Sequence, residues 1–442
     1  NAVNIEFEES NAHYSFMNGG HGLLLENCRN LRLPGLPLTQ NTGDGLRVRN
    51  SSEVIFVDVN LSDNGGNGAA ILANSSFVSI HDGMIDNNGG YGVCMQESTD
   101  LQVCPLTSDE HMGIGDNGAG CALVQDAGNI FIGSGIQDRP LYLSTDLGAA
   151  VTITGPGTDN VRVSGCSFSS NGPDVAQGIL ISGGDNILIG NRNPLFFNNI
   201  NLGAGAGIQA QGNVHNLQIL NNIIGTDPSF NHAFGSFPNQ IGILFQNGLT
   251  GAITADNTII MNSSHGVLVR DGANANIFSD NEIVMNGGDG IRIEGIASNH
   301  NLITCNRIFN NAGKGIALDG GNDNIAAPVI TNISESSSAI SGVINPVPPA
   351  GTLVEVYSDR DDEGESLLGI APVLGNNFCV NATIPVARLF HAVAVHPEGN
   401  TSEFGTAIPY GKADWYSFLF TDNSCPAGRF IFRKRVCPFP PV

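Results

Sequence analysis

The chain has 442 residues, of which 57 are glycine and only 13% are charged, and its formal net charge is −23. Lysine occurs only at Lys314, Lys412 and Lys434, so the basic footprint that nucleic acid or an anionic membrane surface needs is missing. No run approaches the roughly 18 apolar residues of a spanning helix, which argues against membrane insertion.

In chain order, Val3-Asn4-Ile5-Glu6-Phe7 already reads as strand, with no leader before it, so a mature or excised segment of something longer is expected. From there a glycine followed by alternating apolar residues recurs at Gly22, Gly45, Gly68 and Gly92, then at Gly120, Gly178, Gly207, Gly242, Gly266, Gly290 and Gly315. Most intervals are about 23 to 29 residues, with an imperfect coil near Ala149, and a fixed period of this size signals a repeat architecture. The first and third residues after each glycine are apolar, as in Leu46/Val48, Ile179/Ile181, Ile243/Phe245, Val267/Val269, Ile291/Ile293 and Ile316/Leu318. Period two sends these to one face and their neighbours to the other.

A second strand in each unit carries an asparagine frame. Asn257, Asn281 and Asn306 lie one unit apart, as do Asn262, Asn286 and Asn311, and Asn221 and Asn191 extend the first column backward. Stacked amides can bond one another and the turn backbone, because each has both donors and acceptors. Three short strands and three bends fit one unit, so the expected fold is all-β: a parallel β-helix of about 12–13 coils over residues 1–327.

The pattern Gly-Ile/Val, then Asn-apolar, then Asn two before another apolar residue resembles the right-handed parallel β-helix repeats of the pectate-lyase-like superfamily. The run Asn221-Asn222-Ile223-Ile224-Gly225-Thr226-Asp227, with the longer loop before Ile241-Gly242, also resembles repeats in large extracellular surface proteins of that fold. The resemblance spans roughly residues 1–330 and implies a right-handed coil. It says little about function, since the same solenoid hosts lyases, hydrolases, epimerases, adhesins and inert stalks.

The repeat stops near Ala327. Strand-like runs separated by Pro/Gly turns over 328–411 predict a small antiparallel sandwich of immunoglobulin-like or fibronectin-like type, placed to cap the solenoid end. Residues 412–442 form a Pro-rich, cysteine-containing tail. There Cys425 and Cys437 flank Arg433-Lys434-Arg435, and Cys425-Pro426-Ala427-Gly428 resembles the opening of small extracellular cysteine-rich repeats.

Polysaccharide lyases on the resembled fold use acids around a cation with a nearby Arg or Lys, and hydrolases use clustered carboxylates. The strongest such column is Arg270, Glu294 and Asp319, beside Arg292, with Gln209, Gln211 and Gln246 continuing the face. The competing reading is a charge-paired surface ladder of little energetic weight. His81-Asp82 with Asp63 and Asp86 forms a weaker cluster, for which turn-capping is the default. Asp359, Asp361 and Glu363 hint at calcium, but Ile370 stands where an EF-hand places its bidentate Glu, so a solvated hairpin tip is the alternative. No other cofactor is indicated.

Nine cysteines without zinc spacing favour disulfides and an extracellular setting. One bond is expected among Cys94, Cys104 and Cys121, and a local one between Cys425 and Cys437, whereas Cys28, Cys166 and Cys305 read as core residues. Of the N-x-S/T sequons, Asn50, Asn60, Asn74, Asn332, Asn381 and Asn400 are expected to carry glycans, while Asn262 belongs to the internal amide column. Together these point first to a secreted structural or adhesive glycoprotein, a rod that self-associates into filaments or meets other extracellular glycoproteins. The alternative is a lyase, hydrolase or epimerase acting on a uronate-type polysaccharide.

Overall fold

A computed structural model describes residues 3–6, 15–106, 112–137, 139–145, 147–170, 177–203, 205–225, 238–360, 363–385 and 388–410. Successive coils stack in parallel. One face is a twelve-stranded sheet running from Leu23–Glu26 and Leu46–Arg49 to Ile291–Glu294 and Ile316–Asp319, and a twenty-stranded sheet forms the others. Among the described residues the first face has twelve rungs, close to the expected coil number.

The period-two alternation is what closes the core. Ile243, Val267, Ile291 and Ile316 stand in register on successive rungs, and Leu46, Val48, Ile179, Ile181, Ile243, Phe245, Ile291 and Ile293 are fully buried. Each such side chain contributes about 1.5–3 kcal/mol, which a coil realises only when a neighbour covers it. The glycine column is steric. A Cβ on Gly242 would sit 2.5 Å from the Gly266 carbonyl and 2.9 Å from the Asn262 amide nitrogen. Gly120 falls one place ahead of this column, opposite Tyr91, so that Cys121 takes the glycine position.

The asparagines form hydrogen-bonded ladders. Asn262 Nδ2 donates to Asn286 Oδ1 at 2.9 Å, and Asn286 Nδ2 to Asn311 Oδ1 at 2.9 Å. Each Oδ1 also accepts the backbone N–H of the preceding member, and each Nδ2 also reaches a carbonyl, as Asn286 does with Ile259. All four bonding positions of the amide are thereby used. The same column is built at the other end by Asn41, Asn64, Asn88 and Asn117. In the second column the members preceding Asn257, Asn281 and Asn306 are Asn222 and Asn198, where Asn221 and Asn191 were expected: the first lies one residue off the column and the second seven. Asn221 is instead the left-handed bend residue (φ 53°) before the ladder residue, a place that Asp256, Asp280 and Cys305 take in later coils.

Beyond the last coil lie two small antiparallel sheets. One contains Val329–Ser334, Ala339–Val343 and Asn377–Asn381; the other contains Ser366–Pro372, Leu353–Asp359, Arg388–Val395 and Ile408–Tyr410. Ile340, Val354, Val356, Phe378, Phe390 and Ala392 form their shared core. This unit covers the final rung with acceptors. Glu363 takes the Asn311 backbone N–H at 3.0 Å and its Nδ2 at 3.1 Å, standing in for the next ladder asparagine. Glu355 accepts from Cys305 N, Glu403 from Leu318 N, Asn400 from His300 N and Thr401 from Ile303 N. Unpaired ladder groups of an open sheet edge are thus satisfied by side chains.

Three expectations are corrected by this arrangement. Asp359 and Glu363 are buried within the chain's own hydrogen bonds, so they are neither a calcium loop nor a solvated tip; Asp361 lies outside the described residues. Cys94, Cys104 and Cys121 are free thiols. Cys94 is in register with Leu123 rather than Cys121, and Cys104 sits beside His81 on the other sheet. Cys425 and Cys437 lie outside the described residues. Asn400 is buried, with Oδ1 on His300 N and Nδ2 on Asp323, and cannot present its amide to a glycan. No helix among the described residues is long and apolar enough to cross a membrane.

Candidate functional site: the outer face of the twelve-stranded sheet

The fourth residue after each glycine points outward. In coil order this column reads Glu26, Arg49, Leu72, Gln96, Gln125, Thr154, Ser182, Gln211, Gln246, Arg270, Glu294 and Asp319. Only Leu72 is apolar, and none is buried. Hydrogen bonds link neighbours along it: Gln96 Nε2 to Gln125 Oε1 at 2.6 Å, Ser182 Oγ to Thr154 Oγ1 at 3.0 Å, Gln246 Nε2 to Gln211 Oε1 at 2.9 Å, and Arg270 Nη2 to Gln246 Oε1 at 2.8 Å. At about 4.8 Å per rung the column runs for about 50 Å.

At its C-terminal end three of the residues singled out from the sequence, Arg292, Glu294 and Asp319, meet as a charge-paired cluster. Arg292 is the hub, with Glu294 at 2.6 Å, Asp319 at 2.9 Å and Asp289 at 3.2 Å. The hydrogen bond to Glu294, and then that to Asp289, raises the Arg292 pKa. Arg270 turns away to Gln246 and Asp271. His265 Nδ1 accepts the Asp289 N–H at 3.0 Å, which leaves its proton on Nε2, and burial pushes its pKa below the ordinary value. Every guanidinium edge of Arg292 is taken by the chain itself.

The other end is open. Near Arg47, Arg49, Leu72, Ala73, Gln96, Glu97, Gln125 and Asp126 the face forms a cleft of about 360 Å3. Arg47 is held by Asp44 at 2.7 Å. The Arg49 guanidinium and the Glu97 carboxylate make no ion pair or hydrogen bond among the described residues. Glu97 and Asp126 occupy equivalent left-handed bend positions (φ 49° each) in adjacent coils, and Asp126 Oδ1 accepts Gly157 N–H at 2.9 Å. This cleft is absent from the candidates that the sequence offers. Its signal was Leu46-Arg47-Val48-Arg49, two outward arginines in a chain poor in basic residues.

The remaining candidates have structural roles. Asp82 Oδ1 accepts Leu106 N–H, His81 Nδ1 lies 3.1 Å from the Cys104 carbonyl, Asp86 bonds Ser62, and Asp63 accepts from Asn87. No group of three or more His, Cys, Asp or Glu side chains suited to a metal occurs among the described residues. Asn50, Asn60, Asn74, Asn332 and Asn381 are exposed, whereas Asn262 is buried in its ladder.

The profile of the family described as right handed beta helix region matches residues 1–136 and 149–332, and the chain belongs to that family. No curated protein matches it. Among solved structures it is similar to the A-module of a mannuronan C-5 epimerase from Azotobacter vinelandii, at 15% identity over 66% of this chain and 57% of that one, with a TM-score of 0.27. It is also similar to the enzymatically active domain of tailspike protein 2 of bacteriophage CBA120 (12%, 90% and 72%, TM-score 0.32) and to a surface adhesin of Streptococcus pneumoniae (10%, 89% and 79%, TM-score 0.21). These likenesses bear on the fold alone.

Proposed function

We propose that the chain is an extracellular polysaccharide-binding β-helix protein that holds a glycan chain along the outer face of the twelve-stranded sheet, anchored in the Arg47–Asp126 cleft. The observation that carries this is the polar column, unbroken but for Leu72, which opens into the cleft at one end. Amides, hydroxyls and charged groups in a line offer donors and acceptors to sugar hydroxyls, and Leu72 gives an apolar contact for a ring face. Assembly into filaments through the C-terminal end is disfavoured, because that rung is already covered by Glu355, Glu363, Glu403 and Thr401.

Affinity electrophoresis through gels containing neutral and acidic polysaccharides tests the reading. Retardation by at least one polymer, reduced in a Gln96→Ala/Gln125→Ala variant, is expected; free migration through every gel contradicts it.

A second reading, cleavage of the bound chain, is favoured by Glu97 and Asp126 on adjacent coils of one cleft. Glycosidic cleavage by two carboxyl groups needs one as acid and one as base or nucleophile. Release of reducing ends that falls about 100-fold in Glu97→Gln would support it, and the absence of any release would leave binding as the whole activity.

A further inference from the structure

The two charged ends of the outer face are copies of one three-coil arrangement. At the N-terminal end His21 Nδ1 accepts Asp44 N–H at 3.0 Å, Asp44 Oδ2 holds Arg47 at 2.7 Å, and Asp44 Oδ1 accepts Asn67 N–H at 2.7 Å. At the C-terminal end His265 Nδ1 accepts Asp289 N–H at 3.0 Å, Asp289 Oδ2 holds Arg292 at 3.2 Å, and Asp289 Oδ1 accepts Lys314 N–H at 2.8 Å. Even the His–Asp separation, 3.5 Å, is the same. Register fixes the remaining equivalences: Arg49 corresponds to Glu294, and Leu72, opposite Arg49, corresponds to Asp319, opposite Glu294.

The copies differ in what lies against the shared arginine. Arg292 is occupied by the carboxylates of Glu294 and Asp319. At Arg47 those two places hold a second guanidinium and an apolar side chain, and they line the cleft. Glu26, in register with Arg49 on the preceding coil, forms no ion pair with it among the described residues. The C-terminal copy therefore displays, with the chain's own side chains, the ligand that the N-terminal copy lacks.

We infer that Arg47 and Arg49 form a subsite for a carboxylate carried by the glycan, so that the cleft selects a uronate-bearing polymer. This rests on the polysaccharide-binding reading and deepens it. The planar fork of a guanidinium matches a carboxylate with two parallel hydrogen bonds, and two arginines together compensate its charge. Gln96, Gln125 and the carboxylates of Glu97 and Asp126 line the rest of the cleft. There they accept from hydroxyls of the same or the next sugar.

The test is calorimetric titration of the full chain with oligogalacturonate and oligomannuronate, with their carboxyl-reduced counterparts, and with a sulfated neutral oligosaccharide. Two variants accompany it. Leu72→Asp supplies from the chain the carboxylate that Asp319 supplies in the other copy, and Arg49→Gln removes an exposed cation without touching Asp44. A uronate oligomer is expected to bind, and to bind about tenfold or more weakly after carboxyl reduction or in either variant, at unchanged Tm. Equal affinity for acidic and reduced forms in all three proteins would overturn the carboxylate subsite while leaving polysaccharide binding intact. Binding of the sulfated oligomer in preference to both uronates would overturn the assignment to carboxylate. No binding of any oligomer would remove the polysaccharide-binding reading itself.

Discussion

Single side chains in this fold act according to whether their partners are wet or dry. The Arg292 cluster is wet: Glu294 and Asp319 are 36% and 70% exposed. Ion pairs there are screened, so Glu294→Gln is expected to cost less than about 1 kcal/mol in thermal or denaturant unfolding. Asn286 is dry. Its removal strands the Asn262 backbone N–H, takes one acceptor from Asn262 Nδ2, and takes one donor each from Asn311 Oδ1 and the Ile259 carbonyl. Asn286→Ala should cost about 2–4 kcal/mol by the same measurement, as buried groups without partners do. Thiols follow the same division. Burial raises the pKa of Cys94 and Cys104 to about 11, and raises those of Cys121 and Cys166 further. A thiol reagent at neutral pH should therefore leave these four unmodified in the folded chain, because the thiolate is the reactive form.

At the scale of elements, the decisive junction is the last coil against the two small sheets. Glu355 is fully buried, and burial raises its pKa despite hydrogen bonds from Thr304, Tyr357 and the Cys305 N–H. The fold thus favours its protonated form. Stability from this group is fully present below the ordinary carboxyl pKa and is lost as pH rises through the raised one. Glu355→Gln keeps the shape and removes the titration, so wild type should lose stability relative to this variant as pH rises above the ordinary carboxyl range. Parallel Tm–pH curves for the two proteins would contradict the assignment.

Much of this architecture was legible from residues one coil apart, because a solenoid turns spatial neighbours into a sequence period. The amide columns through Asn262 and Asn281 were visible for that reason. The frame slipped at Asn221 because adjacent asparagines, Asn221 and Asn222, serve different purposes, one turning the backbone and the other bonding along the stack. Long-range pairing was not legible. The acids from Asp359 to Glu365 looked like a solvated cluster because nothing local shows that Glu363 ends a ladder whose last member is Asn311. The open cleft was missed for a related reason: Arg270, Arg292, Glu294 and Asp319 formed the denser pattern, and that density is what closes their site.

Among the described residues the molecule is a stack whose last coil is covered by two small sheets. If the chain passes through a glycosylating secretory route, the exposed sequons Asn50, Asn60, Asn74, Asn332 and Asn381 are open to modification, and the buried Asn262 and Asn400 are not. Intact glycopeptide mass spectrometry should find these last two unoccupied, since a glycan on either would break its amide bonds. Asn50 and Asn74 lie on adjacent coils next to Arg49 and Ala73, so glycans there would border the cleft. Whether a polysaccharide lies across this face is read out by hydroxyl-radical footprinting with and without saturating polymer. Protection is expected to concentrate at Leu72 and its cleft neighbours and to continue along the column through Gln125, with the flank that carries Met261 and Met285 unchanged. Protection of those methionines with Leu72 as reactive as before would contradict it.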